Sequence, residues 1–171
     1  MIYNRNQPFS SLKLFTIIIL CITSFSCQSF KSYQKSAIKG NSNAQNNLAV
    51  CYATGDGVQK NFQKSAEWYL KASTQGHTEA QYNLAQSYFT GQGVEKSLTK
   101  AVHWLHKAAK GEDQDAQYSL AICYGNGWGI DKNPHEAITW YKKAAEQGHQ
   151  KAQYNLGVCY HSGFGIEKKL Y

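Results

Sequence analysis

The chain has 171 residues and a mass of 19.2 kDa, with 42% hydrophobic and 13% aromatic residues and only 2 Pro, which excludes a disordered or collagen-like polymer. The formal charge is +7, yet Arg5 is the one arginine among 18 basic residues, and a phosphate reader ordinarily carries arginine forks. The dispersed lysines predict a solubility charge, and no nucleic-acid partner is expected.

Residues 1–27 follow different rules from the rest. Arg5 and Lys13 precede an apolar run from Leu14 to Ile22, about half of the roughly 20 residues a membrane-spanning helix requires. This resembles a secretory signal. Ser24 and Ser26 supply small residues before a cut, and Cys27 after them is similar to the lipidated first residue of a bacterial lipoprotein, although Ser24 stands where that family has Leu. The expectation is an exported protein, either freely secreted or periplasmic, or an outer-membrane lipoprotein whose membrane contact is a lipid anchor at Cys27.

Beyond Cys27 the sequence repeats with a period of 36. Ala44, Ala80, Ala116 and Ala152 are each followed after four residues by Leu48, Leu84, Leu120 and Leu156, and after four more by Tyr52, Tyr88, Tyr124 and Tyr160. Glycine pairs follow at Gly55/Gly57, Gly91/Gly93, Gly127/Gly129 and Gly163/Gly165, and then Trp68, Trp104 and Trp140 keep the register ahead of a Lys-Ala pair. Apolar residues four apart predict a helix, the glycine pair ends it, and the Trp segment forms an antiparallel partner. Asn61, Ser97 and Asn133 are the expected N-caps of the second helices, with Pro134 at a first helical position. Gly76 and Gly148 are expected to close those helices, and Gly111 to do so one residue early. Residues 28–40 read as a degenerate half copy, followed by copies at 41–76, 77–112 and 113–148 and a partial copy at 149–171.

The pattern Ala-x3-Leu-(Ala/Gly)-x2-Tyr-x2-Gly-x-Gly-(Val/Ile), followed by Trp-(Tyr/Leu)-x-Lys-Ala, resembles the Sel1-like repeat, a relative of the tetratricopeptide repeat. The resemblance covers residues 41–171 and implies an all-α, right-handed α/α solenoid. One copy cannot cover its own apolar stripe, so stability must come from stacking. Leu156 and Tyr160 are expected to be partly covered, leaving either a continuing array or an open C-terminal edge that could form a homo-oligomer.

Cys51, Cys123 and Cys159 share one repeat position, with Ser87 in the remaining copy. Equivalent helices lie about 8–10 Å apart, beyond the roughly 4.4–6.8 Å between Cα atoms that a disulfide spans, so three reduced, buried thiols are expected. This departs from disulfide-rich exported Sel1-like proteins, whose paired cysteines fall where Ala72 and Ala80 stand here.

Some exported relatives carry a β-lactamase label, which makes a secreted hydrolase the alternative reading. Ser-x-x-Lys occurs at Ser32/Lys35, Ser36/Lys39 and Ser97/Lys100, but no Lys-Thr-Gly element accompanies it. The reading is therefore non-catalytic, with no cofactor. His103 and His106, three apart on one helix, could share a metal, but no third ligand recurs nearby, and His77 and His149 are expected in solvated loops. No metal site is assigned.

In tetratricopeptide arrays the first helices line a concave groove that holds peptides. The resemblance carries that role to Tyr82, Gln86 and Phe89, then Tyr118 and Ile122, then Tyr154, Val158 and His161, which lie off the Ala-Leu-Tyr stripe. The row Tyr82, Tyr118 and Tyr154 suits contact with a peptide, since a phenol joins apolar area to a hydroxyl. The same tyrosines could instead pack between copies. The expected function is an exported scaffold for a protein or peptide ligand, the further alternative being a structural fragment of a longer array.

Overall fold

The computed structural model of the chain describes residues 27–164, which form eight helices and, among these residues, no strand. They are α1 (27–38), α2 (Ser42–Thr54), α3 (Phe62–Thr74), α4 (Thr78–Thr90), α5 (Leu98–Lys110), α6 (Gln114–Asn126), α7 (Pro134–Glu146) and α8 (Gln150–Ser162). Helices α2 and α3, α4 and α5, and α6 and α7 pack as hairpins, and the second helix of each packs on the first helix of the next, the arrangement of an α/α solenoid. The even-numbered helices form one layer, called A below, and the odd-numbered helices form the other, B. The proposed signal cleavage region before Cys27 lies outside the described residues. Cys27 itself opens α1 with a free, half-buried thiol.

Local chemistry fixes the helix ends. Asn61, Ser97 and Asn133 accept the backbone N–H of Lys64, Lys100 and Glu136, so the expected N-caps form. In the A layer the caps are Asn41, His77, Asp113 and His149. The expectation of solvated loops for His77 and His149 is thereby overturned: their Nδ1 atoms accept the N–H of Ala80 at 3.2 Å and of Ala152 at 3.0 Å. Because Nδ1 accepts, the neutral His149 ring carries its proton on Nε2, which faces Asp115 Oδ1 at 3.2 Å.

The core runs along the seams between copies. Leu48, Leu84 and Leu120 are no more than 1% exposed, while Leu156 is half-buried and Tyr160 is 49% exposed because no second helix pairs with α8 among the described residues. Alanines fill the tightest points: Ala72 and Ala80, Ala108 and Ala116, and Ala144 and Ala152 are all fully buried where a B helix meets the next A helix. Beside each pair a glutamine recurs. Gln45, Gln81, Gln117 and Gln153 donate Nε2–H to the carbonyls of Ala37, Ser73, Ala109 and Ala145, at 3.1 to 3.2 Å. Each carbonyl belongs to the end of the preceding B helix and also accepts a backbone N–H from the turn, that of Gly40, Gly76, Glu112 and Gly148 respectively, so the glutamine engages its second lone pair. The bond from Gln45 to Ala37, together with the Phe30–Tyr52 edge contact at 5.6 Å, makes α1 a B-type helix in full register.

Turn glycines permit the seams to close. Gly93 adopts φ +75, and a Cβ there would lie 2.0 Å from the Phe62 carbonyl oxygen, so the turn of one copy rests directly on the backbone of the previous B helix. The second copy departs at its other end. Gly111 is an ordinary C-cap at φ −81, and the left-handed residue is Glu112 at φ +66, where the other copies have Gly76 and Gly148. The expected early closure at Gly111 is therefore corrected: the register is kept, at the cost of placing a side chain in a conformation disfavoured by about 1–2 kcal/mol. The same change removes a contact, because Gln75 and Gln147, the counterparts of Gly111, donate to Gln45 and Gln117 at 2.6 and 2.8 Å.

Cys51, Cys123 and Cys159 are free and buried. Burial pushes all three thiols up, Cys123 to about 12.

Two predictions follow from these observations. Glu112→Gly should raise the unfolding free energy by about 1 kcal/mol and the melting temperature by about 2–4 °C, measured by chemical and thermal denaturation. Since the thiolate is the reactive form and burial disfavours it, Ellman's reagent at pH 8 should modify Cys51, Cys123 and Cys159 only at the rate of unfolding; rapid labelling of the folded protein at these three would contradict the seam packing.

Candidate groove site

Three clefts open on the A layer, one at each junction between copies, and five repeat positions recur in all of them. The first contains Ala53, Asn83, Gln86, Ser87 and Gln92, the second Phe89, Ser119, Ile122, Cys123 and Trp128, and the third Gly125, Asn155, Val158, Cys159 and Phe164. In each, the first residue belongs to one A helix and the other four to the next copy. Their volumes are about 170, 220 and 330 Å³. The clefts share a scaffold and differ in chemistry. At these five positions the first has three amides, a hydroxyl and Ala53, with the Phe62 and Tyr69 rings beside them. The second has two aromatic rings and Ile122, and the third has Val158, Cys159 and Phe164 with the polar Asn155, flanked by Lys132 and Asn126.

Of the residues expected to contact a ligand, Gln86, Phe89, Ile122 and Val158 line these clefts. The tyrosine row lies beside them. Tyr82 and Tyr118 are half-buried and pack on the core; the Tyr118 ring stacks on His149 at 4.5 Å and tilts against Tyr141 at 5.9 Å. Tyr154 is 74% exposed, and His161 is also exposed, in the last turn of α8. The residue that sequence reasoning missed is Trp128, half-exposed and standing between the two turn glycines. Its signal was a column containing Asp56, Gln92, Trp128 and Phe164, in which aromatic residues appear only in the last two copies.

Of the other polar candidates, Ser97 and His106 are engaged in the fold. Ser97 of one Ser-x-x-Lys sequence caps α5 by accepting the Lys100 N–H. His106 Nε2 lies 3.1 Å from the Tyr124 hydroxyl and its ring meets Trp140 edge-on, while His103 is exposed. Burial, and then the Lys110 ammonium, hold His106 below the usual imidazole range. Ala72 and Ala80, which stand where disulfide-rich relatives carry cysteines, are both fully buried.

Comparison with known proteins agrees with this architecture. A comparison with curated proteins gives no significant match. Among solved structures, c5321, a protective antigen of uropathogenic Escherichia coli strains displaying an SLR fold, superposes with a TM-score of 0.81 at 32% identity, over 84% of this chain and 31% of that one. A Sel1 repeat protein from Oxalobacter formigenes gives 0.80 at 35% identity, over 91% and 63%. Cysteine rich protein B of Helicobacter pylori gives 0.62 at 26% identity, over 76% and 96%. The chain thus spans about a third of the first of these proteins and just under two thirds of the second. The Sel1 repeat model matches residues 42–77, 78–113, 114–149 and 150–170, the same four registers that the alanine pairs, the seam glutamines and the turn glycines mark out, and the chain belongs to the Sel1 repeat family.

Proposed function

We propose that this protein is an exported, non-catalytic scaffold that holds an extended peptide, or an extended segment of a partner protein, along the three A-layer clefts. The observation that carries the reading is their equivalence: five positions recur at each junction, so that one ligand running along the array meets the same geometry three times. Adjacent clefts lie about one helix spacing apart, roughly 10 Å, and an extended peptide covers that distance in about three residues. The matching ligand presents an amide or hydroxyl side chain at position i, a large apolar one at i+3 and another apolar one at i+6. Gln86, Phe89, Ile122, Trp128 and Val158 form the contact surface, with the exposed Tyr154 and His161 flanking it on α8; Tyr82 and Tyr118 contribute mainly by packing.

Export, and lipidation at Cys27, are supported by the order of Arg5 and Lys13, the apolar run Leu14 to Ile22 and the small residues before Cys27. The apolar edge on α8, where Tyr154, Val158 and Tyr160 are 74%, 48% and 49% exposed, supports contact with a further repeat unit or a second copy of this chain.

Selection from a random peptide library against the immobilised protein should return sequences with apolar residues three apart. Trp128→Ala should weaken a selected peptide roughly tenfold or more, as loss of a central aromatic anchor does, and leave the melting temperature within about 2 °C. Peptides without the three-residue spacing, or unchanged affinity in Trp128→Ala, would contradict the groove.

A further inference from the structure

We propose that the B layer is a docking face for an anionic lipid bilayer, which leaves the A-layer clefts facing away from the membrane. Dispersed in sequence, the lysines are sorted by layer in space. The four B helices carry nine lysines against three glutamates, whereas the four A helices carry one lysine against two acidic residues. All nine B-layer lysines are exposed, and among the described residues none forms an ion pair.

One column is ordered by the repeat itself. Lys35, Lys71, Lys107 and Lys143 occupy the same position in successive B helices. In the three complete copies the ammonium lies over the ring of the Trp one turn earlier, at 3.9 Å for Lys71 on Trp68, 4.6 Å for Lys107 on Trp104 and 4.3 Å for Lys143 on Trp140. A cation held over an aromatic face keeps a defined place and remains charged. The result is a row of point charges about one repeat apart, carried by a layer with three times as many cations as anions.

Lipid headgroups fit this surface better than nucleic acid does. No arginine occurs among the described residues, and the column's Trp faces are already covered by lysine, so the layer offers neither bidentate phosphate forks nor platforms for bases. Of the exposed aromatic side chains, Tyr154 belongs to an A helix and Trp128 to a turn, and Tyr160 lies beneath the Lys142 ammonium at 5.7 Å. Position along the chain points the same way. Helix α1 carries Lys31 and Lys35 with no acidic residue, Lys39 follows it, and the apolar run Leu14 to Ile22 precedes it in the sequence. During export that run lies next to α1, and a lipid anchor at Cys27, which opens the helix, would keep these lysines at the membrane afterwards, where acidic headgroups attract them within about a Debye length. The inference does not depend on peptide binding.

The test is cosedimentation of the full chain with vesicles of phosphatidylcholine containing phosphatidylglycerol, compared with phosphatidylcholine alone, so that any apolar contribution of residues 14–22 is common to both. Binding should be stronger to the anionic vesicles and should fall with added salt. The triple variant Lys71/Lys107/Lys143→Gln should weaken that preference roughly tenfold or more. A charge-matched control, Lys60/Lys96/Lys132→Gln on the turns, should change it less than about twofold, and Lys71/Lys107/Lys143→Arg should preserve it. Melting curves of each variant separate lost binding from lost fold. Equal losses in the two Gln variants, no preference for anionic vesicles, or tighter binding to duplex DNA than to the vesicles at the same ionic strength would each overturn the proposal.

Discussion

The structure depends on how closely the end of one B helix approaches the start of the next A helix. At three of the four seams two alanines lie with no exposed surface, and at all four a glutamine side chain reaches across to a carbonyl at the end of the preceding helix, sharing it with a turn N–H. Larger side chains at the alanines would force the helices apart. Replacing the glutamine would remove that bond between copies, at a cost of about 0.5–1.5 kcal/mol for each hydrogen bond lost. Apolar contact supplies the drive to stack, and the small residues and the amide bond fix the distance and register at which stacking occurs.

That fixed distance also creates the groove. The repeated packing leaves a cleft at every junction, lined by the same five positions, so its size and chemistry can change one residue at a time while the backbone stays put. Phe89 and Gly125 show the principle: they occupy the same position, and a Cβ at Gly125 would stand 3.7 Å from the Phe164 ring that lies over it. The two layers have divided their tasks. A-helix side chains build graded clefts with little net charge, and B-helix side chains carry the excess of lysines.

Most of the fold was legible in the sequence because its signals recur. A residue such as Leu84 is ambiguous alone, but four leucines in one register identify a buried stripe, and Asn61, Ser97 and Asn133 mark helix starts by direct side-chain chemistry. Sequence reasoning failed where one residue performs a task in an uncommon way. Histidine is an unusual N-cap, so the roles of His77 and His149 emerge only from the distances at Nδ1. Glu112 adopts a conformation that favours glycine, which made Gly111 look like the reversal point. Half of the expected groove residues line the clefts, since helical phase identifies an outward face without saying which outward positions a neighbouring copy covers. Tyr118 points off the core stripe of its own helix and is then covered by Tyr141 and His149. The lysine column was equally visible as sequence, but its separation from the acidic residues required the two layers.

Urea unfolding of Gln117→Ala tests the seam most directly. Gln117 is 4% exposed, donates to the Ala109 carbonyl at 3.2 Å and accepts from Gln147 at 2.8 Å. If these bonds set the register between copies, the variant loses about 1–3 kcal/mol of unfolding free energy. A midpoint and slope indistinguishable from the parent protein would show that the copies hold their register without the glutamine, and would contradict the account.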